Sequence, residues 1–376
     1  MTNNNSKLKE VGVVFFKLGC FAFGGPAAHI AMMEEEVVTK RKWMTRNYFL
    51  DLIGTTNLIP GPNSTEMTMH CGYERAGKKG LLIAGLSFIL PATLITAILA
   101  YFYMKYGQLP KVEPFIFGIK PAVLAIIASA IFKLGKKAIK GIELIIIGIG
   151  VLILSLLGYN EVLILVLAGV IGMSYFYVKE RRKTNLNTFL PFLFLGGFST
   201  SIIKISTFKL FLLFLKVGAI LYGSGYVLFA YLDAELVSRG LLTRPELLDA
   251  IAIGQFTPGP ILSTSTFIGY QLSGFTGALV ATCGIFLPSF IFVLITNPFI
   301  PKLRKSVILR YFLNSVNVAA VAIMLSVLLQ MSKDTLINWQ AIVIVVLSLY
   351  FMFKTKLSPI YIILIGVILG YLLKLV

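Results

Sequence analysis

Phe23-Gly24-Gly25-Pro26 followed by Pro60-Gly61-Pro62, and then Tyr222-Gly223-Ser224-Gly225 followed by Pro258-Gly259-Pro260, is the pattern that decides the fold. The chain is written twice. Between these marks the halves match at Lys17 and Lys216, Gly19 and Gly218, Arg46 and Arg244, and Asp51 and Asp249. Beyond them come Tyr73 and Tyr270, Gly80 and Gly277, and Pro91 and Pro288. Each half is mostly apolar and is interrupted by Gly and Pro at matching places, so the pattern predicts a transporter of paired membrane repeats with its site where the interruptions meet. The repeats are placed at residues 1–184 and 185–376.

Composition agrees. With 57% hydrophobic and 13% charged residues and a mean hydropathy of +0.87, the chain has too little polar surface to cover a water-soluble globule. The net charge of +18 does not indicate nucleic acid, because the basic residues sit in short connections such as Lys133, Lys136, Lys137 and Lys140, as the positive-inside rule requires. Cys20, Cys71 and Cys283 are scattered and form neither a disulfide framework nor a metal cluster. No cofactor is expected. The first apolar run, Val11 to Met33, holds Lys17 and the Gly-Gly-Pro interruption and ends in Glu34-Glu35-Glu36. It therefore reads as part of the mature fold and not as a signal peptide.

Apolar runs long enough for membrane helices are predicted near 11–31, 47–71, 80–104, 114–133, 141–158 and 161–178. The second half has 208–230, 246–271, 275–297, 306–331, 338–353 and 358–374, with 189–203 as a further span or a surface segment. Trp43 and Trp339 fall at run edges and suit interfacial anchoring. The class is thus an all-α polytopic membrane protein. Loop 73–79, with Arg75, Lys78 and Lys79, counts as cytoplasmic, whereas its repeat equivalent 272–274 has no basic residue and counts as external. The halves are therefore expected to be inverted copies. Lys40, Arg41, Lys42 and Arg46 fit this count only if the Pro60-Gly61-Pro62 segment enters and leaves on the same side. That favours a re-entrant hairpin over two ordinary proline kinks.

Phe16-Lys17-Leu18-Gly19, Phe23-Gly24-Gly25-Pro26-Ala27-Ala28-His29, Pro60-Gly61-Pro62, Gly72-Tyr73 and Phe88-Ile89-Leu90-Pro91 closely resemble the chromate transporter family. Gly218, Tyr222-Gly223, Leu242-Thr243, Pro258-Gly259-Pro260, Gly269-Tyr270 and Phe286-Leu287-Pro288 are similar to that family's second domain. The likeness spans nearly the whole chain and matches the long, two-domain form. The two copies differ at His29, whose counterpart is Leu228, so a role for His29 is not duplicated. The resemblance implies secondary efflux of chromate across the plasma membrane, giving chromate resistance, with no catalytic activity.

The residues suit a tetrahedral dianion independently. Interrupted helices offer free N-terminal amides and the positive end of the helix dipole, and glycines allow close backbone approach. The candidate binding residues are Gly24, Gly25, Pro26, Pro60, Gly61, Pro62 and Thr65 in the first half. In the second they are Gly223, Ser224, Gly225, Pro258, Gly259, Pro260 and Ser263. Asn57 and Gln255, three residues before each Pro-Gly-Pro, add amide donors. For any one of these small residues, helix packing is an equal reading. Lys17 and Lys216 lie within apolar runs at matched positions and are read either as buried positive charge for the anion or as snorkelling side chains. His29 is read as a proton site or a structural hydrogen bond, and His70 as structural. Glu34, Glu36, Asp233 and Glu235 are gate or proton-coupling candidates, although acidic caps balancing nearby bases is the favoured reading. The expected partners are chromate or sulfate and the lipid bilayer, with a homodimer as candidate assembly. Two other functions stay open, transport of sulfate or another oxyanion and a membrane-embedded phosphatase.

Overall fold

The computed structural model describes residues 2–23, 25–56, 59–107, 109, 113–181, 206–222, 225–297, 306–355 and 357–374. The described residues are helical, without strands. The first half comprises α1 (Thr2–Phe21), α2 (Pro26–Met33, continued by a π-helical turn Glu34–Lys40), α3 (Arg46–Thr56), α4 (Asn63–Tyr106), α5 (Glu113–Ala138), α6 (Ile142–Leu156) and α7 (Glu161–Arg181). The second comprises α8 (Thr207–Ile220), α9 (Leu228–Leu232, between a 3-10 turn Gly225–Val227 and a π-helical turn Asp233–Val237), α10 (Arg244–Phe256), α11 (Thr264–Thr296), α12 (Val307–Thr335), α13 (Trp339–Lys354) and α14 (Pro359–Lys374). Helices dominate because lipid offers no partner for backbone N–H and C=O, and a helix satisfies both within one segment. Five helices among the described residues are long and apolar enough to cross a bilayer, and three shorter apolar ones accompany them. This is a multi-pass membrane protein. The element order of the two halves is the same, and the segment 189–203 lies outside the described residues.

The two longest helices, α4 and α11, turn back on themselves at the loops expected at 73–79 and 272–274. In α4 the backbone leaves helical geometry at Ala76 (φ −145°, ψ 24°) and Gly77 (φ 64°, ψ −154°); in α11 it does so at Ser273 (φ −150°, ψ 25°) and Gly274 (φ 61°, ψ −150°). The angles match closely, and Gly meets the positive φ at little steric cost. Each turn reverses the chain into an antiparallel hairpin. Thr266 and Thr282, sixteen residues apart, hydrogen-bond at 2.7 Å, whereas a straight helix would hold them about 24 Å apart. The legs close tightly because Gly72 meets Gly80 and Gly269 meets Gly277. A Cβ on any of the four would overlap the facing carbonyl oxygen.

Side-chain contacts fix which ends lie together. Tyr48 donates to Glu74 at 2.8 Å, which brings the start of α3 beside the α4 turn. Arg75 and Arg41 reach Glu10 of α1 at 2.7 and 2.9 Å, and the Trp43 indole donates to the same carboxylate at 3.3 Å. The segments 10–41 and 46–75 are therefore two hairpins whose outer ends meet at one end of the molecule. At the opposite end, Arg244 pairs with Asp233 at 3.3 Å and Asp334 at 3.4 Å. The two long hairpins interlock head to tail. Tyr103, near the far end of α4, hydrogen-bonds Asp249 at 2.6 Å and stacks edge-on with Phe267, six residues before the α11 turn. His70, six residues before the α4 turn, hydrogen-bonds Asn297 at the far end of α11 at 2.8 Å.

The remaining helices exchange partners. First-half α5 packs against α13 and α14, while second-half α12 packs against α6 and α7. Gly118 lies directly on Gly366, and Gly172 on Ser315, so small residues set the approach where helices cross.

The hairpin geometry makes a direct prediction. In a background lacking native cysteines, Thr266→Cys with Thr282→Cys should form a disulfide on mild oxidation, read as loss of both thiols to a maleimide reagent. A straight α11 would leave both thiols reactive.

Candidate functional site

The site is built where the four interruptions meet. After α1 the chain leaves the helix at Ala22, and after α8 it leaves at Leu221. These positions correspond in the repeats. The amide of Gly259 donates to the Ala22 carbonyl at 3.0 Å, and the amide of Gly61 donates to the Leu221 carbonyl at 2.6 Å. Each Pro-Gly-Pro is thus hydrogen-bonded to the other half's first interruption. Prolines cannot donate, so the single amide between each pair is the one donor the tripeptide has, and it is used. Both central glycines adopt positive φ, 142° at Gly61 and 81° at Gly259. Gly61 and Pro62 are buried, as is all of Pro258-Gly259-Pro260, and Pro60 is partly so.

Polar side chains gather around these bonds. Thr65, Glu66, Ser263 and Ser289 are fully buried, and Gln255 is 8% exposed. The Thr65 hydroxyl, the Ser289 hydroxyl, the Gln255 Nε2 and both Glu66 carboxylate oxygens have no hydrogen-bond partner. Thr257 lies 3.2 Å from Ser263 and 3.4 Å from Thr96, and the Tyr226 phenol lies beside the Gln255 side chain. Gly25, at φ 80° before Pro26, faces the Tyr226 hydroxyl across the halves. Gly225 faces Ile261 and Leu262. Gly24, Asn57, Gly223 and Ser224 lie outside the described residues. The hydroxyls, the amide donor and the helix starts after Pro62 and Gly25 form a set of donors suited to an anion.

His29 is buried and its Nε2 donates to the Ala22 carbonyl at 3.0 Å, the same oxygen that receives Gly259. In the second half the Tyr231 hydroxyl donates to the Ile220 carbonyl at 3.1 Å. Two different side chains therefore tie off equivalent helix ends in the two halves.

The expectation that Lys17 and Lys216 are buried needs correction, because both are exposed. The cause is rotational. Gly19 and Gly218 turn the inner face of α1 and α8 onto the backbone of Phe88 and Ile285, which leaves the lysine two residues earlier on the outer face. Lys17 borders a groove of about 460 Å³ with Glu36 and Lys40, and Lys216 pairs with Glu235 at 2.5 Å. The four acidic candidates are all ion-paired. Glu34 meets Arg46 at 2.8 Å, and Glu36 meets Lys40 at 3.0 Å and Arg41 at 3.4 Å. The Lys40 hydrogen bond holds the Glu36 carboxyl below its usual range. Asp233 meets Arg244, and Glu235 also meets Arg239 at 2.7 Å. The Glu34–Arg46 and Asp233–Arg244 pairs are repeat equivalents, each linking the end of a first hairpin to the start of the next helix.

Sequence reading passed over Glu66, Ser289, Tyr226, Thr96 and Thr257. Matching the halves hid Glu66, whose counterpart is Thr264. An acidic residue within the apolar run 47–71 was the available signal.

Two outcomes follow from this geometry. A Cβ at Gly61 would overlap Glu66 Oε1 and stand 2.6 Å from Ser289 Oγ, whereas one at Gly259 would stand 3.0 Å from Ala92 Cβ. Gly61→Ala should therefore cost about 2–5 kcal/mol and Gly259→Ala about 1–3 kcal/mol, seen as a lower melting temperature for the first in detergent. Equal melting would contradict the packing. Lys216→Met, which removes one of two partners from a Glu235 side chain 3% exposed, should cost about 1–3 kcal/mol. Lys17→Met should stay within about 0.5 kcal/mol, and the same melting assay separates the two.

Comparison with known proteins agrees with this architecture. The sequence matches the chromate transporter family over residues 9–173 and 208–371. It is 30% identical to an uncharacterized transporter of Methanocaldococcus jannaschii, covering 98% of this chain and 95% of the relative. It is 30% identical to a probable chromate transport protein of Synechococcus elongatus, over 88% of this chain and 86% of that one. It is 26% identical to a chromate transport protein of Cupriavidus metallidurans, over 93% and 88%. No solved structure gives a significant match. With both halves matched in order and relatives aligned along nearly its whole length, the chain belongs to the chromate transporter family.

Proposed function

We propose that this protein is a secondary exporter of chromate that binds the dianion between the paired helix interruptions and releases it outside the cell, so conferring chromate resistance. The observation that carries the reading is the set of buried, unpartnered donors at Thr65, Ser289 and Gln255 around two reciprocal backbone hydrogen bonds. Such donors are costly to bury without a ligand, and an oxyanion accepts from several at once. In the present arrangement the interruptions are packed against one another, so passage requires the two N–H···O=C bonds to part. Parting them in a dry interior leaves groups that cost several kcal/mol unless re-satisfied, and an anion's own hydrogen bonds to the freed amides offset that cost.

The halves are proposed to lie in the bilayer as inverted copies. The end bearing Arg41, Arg75, Lys78 and Lys79, and also Lys140 and Lys179, is assigned to the cytoplasm by its basic character. Export then needs no ATP. Moving one charge through 100 mV is worth about 2.3 kcal/mol, so a dianion leaving a negative interior gains about 4.6 kcal/mol. At about 1.4 kcal/mol per tenfold, this sustains a gradient on the order of a thousandfold.

Everted membrane vesicles should take up labelled chromate, faster when a potassium diffusion potential makes the lumen positive. Uptake that ignores the potential would refute the driving force. Sulfate uptake that chromate does not inhibit would replace the substrate. Single cysteines at Lys78 and Ser273 should react with a membrane-impermeant reagent from opposite faces, and reaction from one face would refute inversion.

A further inference from the structure

Glu66 is an ionisable side chain at the junction of the halves that the transport reading leaves unused. It stands in the first turn of α4, has no exposed surface, and neither carboxylate oxygen has a hydrogen-bond partner. It lies against the Gly61 position and near Ser289, so it sits at the Pro-Gly-Pro where the halves join. An isolated carboxylate in such a place costs many kcal/mol, whereas a carboxylic acid costs far less.

Among the described residues, the surroundings supply no compensating cation. On α4 itself, His70 is one turn away on the same face, fully buried, with Nδ1 donating to Asn297 Oδ1 at 2.8 Å and Nε2 unpartnered. Glu74 is engaged by Tyr48. From α1, Lys17 is exposed on the outer face, and Glu10 is held by Arg41 and Arg75 at the end of the molecule. From α2, His29 is committed to Ala22. Asp51 lies on α3. From the second half, the Tyr222 phenol lies near Glu66, α11 offers the neutral Ser289 and Asn297, and Asp249 of α10 is held by Tyr103 and Lys120.

We propose that Glu66 is the proton site that links proton movement to oxyanion movement, with His70 one turn along as the next proton acceptor toward the end of α11. In the closed arrangement Glu66 is held as the neutral acid; it takes up this proton, carboxylate to carboxylic acid, when the interruptions part and water reaches it ahead of the oxyanion, and it returns the proton to water after the anion has left. The reason is electrostatic. A carboxylate and a dianion held within a few ångströms in a low-dielectric interior repel by several kcal/mol, so the anion binds to the protonated form. Anion and proton therefore travel together, so each anion carries one negative charge less than it would alone and the membrane potential drives it with half the force that acts on the bare dianion.

This rests on the oxyanion-transport reading, and the test separates the two. Wild-type protein in liposomes with a trapped pH dye is given a chromate gradient, and proton flux is compared with labelled chromate flux. No movement of chromate or sulfate would fail the transport reading. Chromate movement without proton flux beyond that of chromate's own protonation would overturn the role of Glu66. Glu66→Gln fixes the neutral form, and its proton-to-chromate ratio should fall to the protein-free background, with a flattened pH dependence of chromate KM. A wild-type ratio in that variant would also overturn the proposal. Should Glu66→Gln fail to insert, Glu66→Asp must keep the wild-type ratio, since it keeps the titrating group, and loss of the ratio there would count against it.

Discussion

Two backbone hydrogen bonds hold the halves together at their weakest points. Gly61 donates to Leu221, and Gly259 donates to Ala22. A proline-flanked glycine within a membrane protein has one amide to place, and an unplaced one would cost several kcal/mol in the absence of water. Neither half can satisfy its own tripeptide, because the helix end that accepts lies in the other half. The arrangement is isologous. One half's donor meets the other's acceptor and the reverse, the relation expected of two copies about a pseudo-twofold axis.

Around that centre the fold depends on glycine at a few close approaches. The turns at Gly77 and Gly274 reverse α4 and α11, and the facing pairs Gly72–Gly80 and Gly269–Gly277 let the legs touch backbone to backbone. Van der Waals packing drives helix association where lipid removes the hydrophobic difference, so the absence of a Cβ stabilises the hairpin directly. The same logic acts where α5 and α12 cross into the other half's helices. The halves are interwoven, and separating them would expose interruptions and crossing faces together.

Charge is arranged apart from the centre. Glu10, Glu34 and Glu36 on one end, and Asp233 and Glu235 on the other, are each met by Arg or Lys. Those networks fasten the outer ends of the hairpins, while the region of the interruptions is lined by hydroxyls, amides and one unpaired carboxyl. This separation suits an anion that must be held by many weak donors and released again, since a fixed ion pair would hold it too well.

Duplication, the membrane class, the helix runs and the Pro-Gly-Pro interruptions were all legible in the sequence, because lipid demands long apolar runs and tolerates Gly and Pro only at particular places. The acidic residues read as caps are indeed capped by bases, since short spacing such as Glu36 to Lys40 places partners on one helix face. The facing of Lys17 and Lys216 was not legible, because an apolar run on both sides does not say which face of a helix meets protein. Tertiary contact through Gly19 and Gly218 decided it. Glu66, Ser289 and Tyr226 came to light only when helices from distant parts of the chain met. A repeat comparison finds what the halves share, whereas the asymmetric residues of the site are defined by the neighbours that folding brings to them.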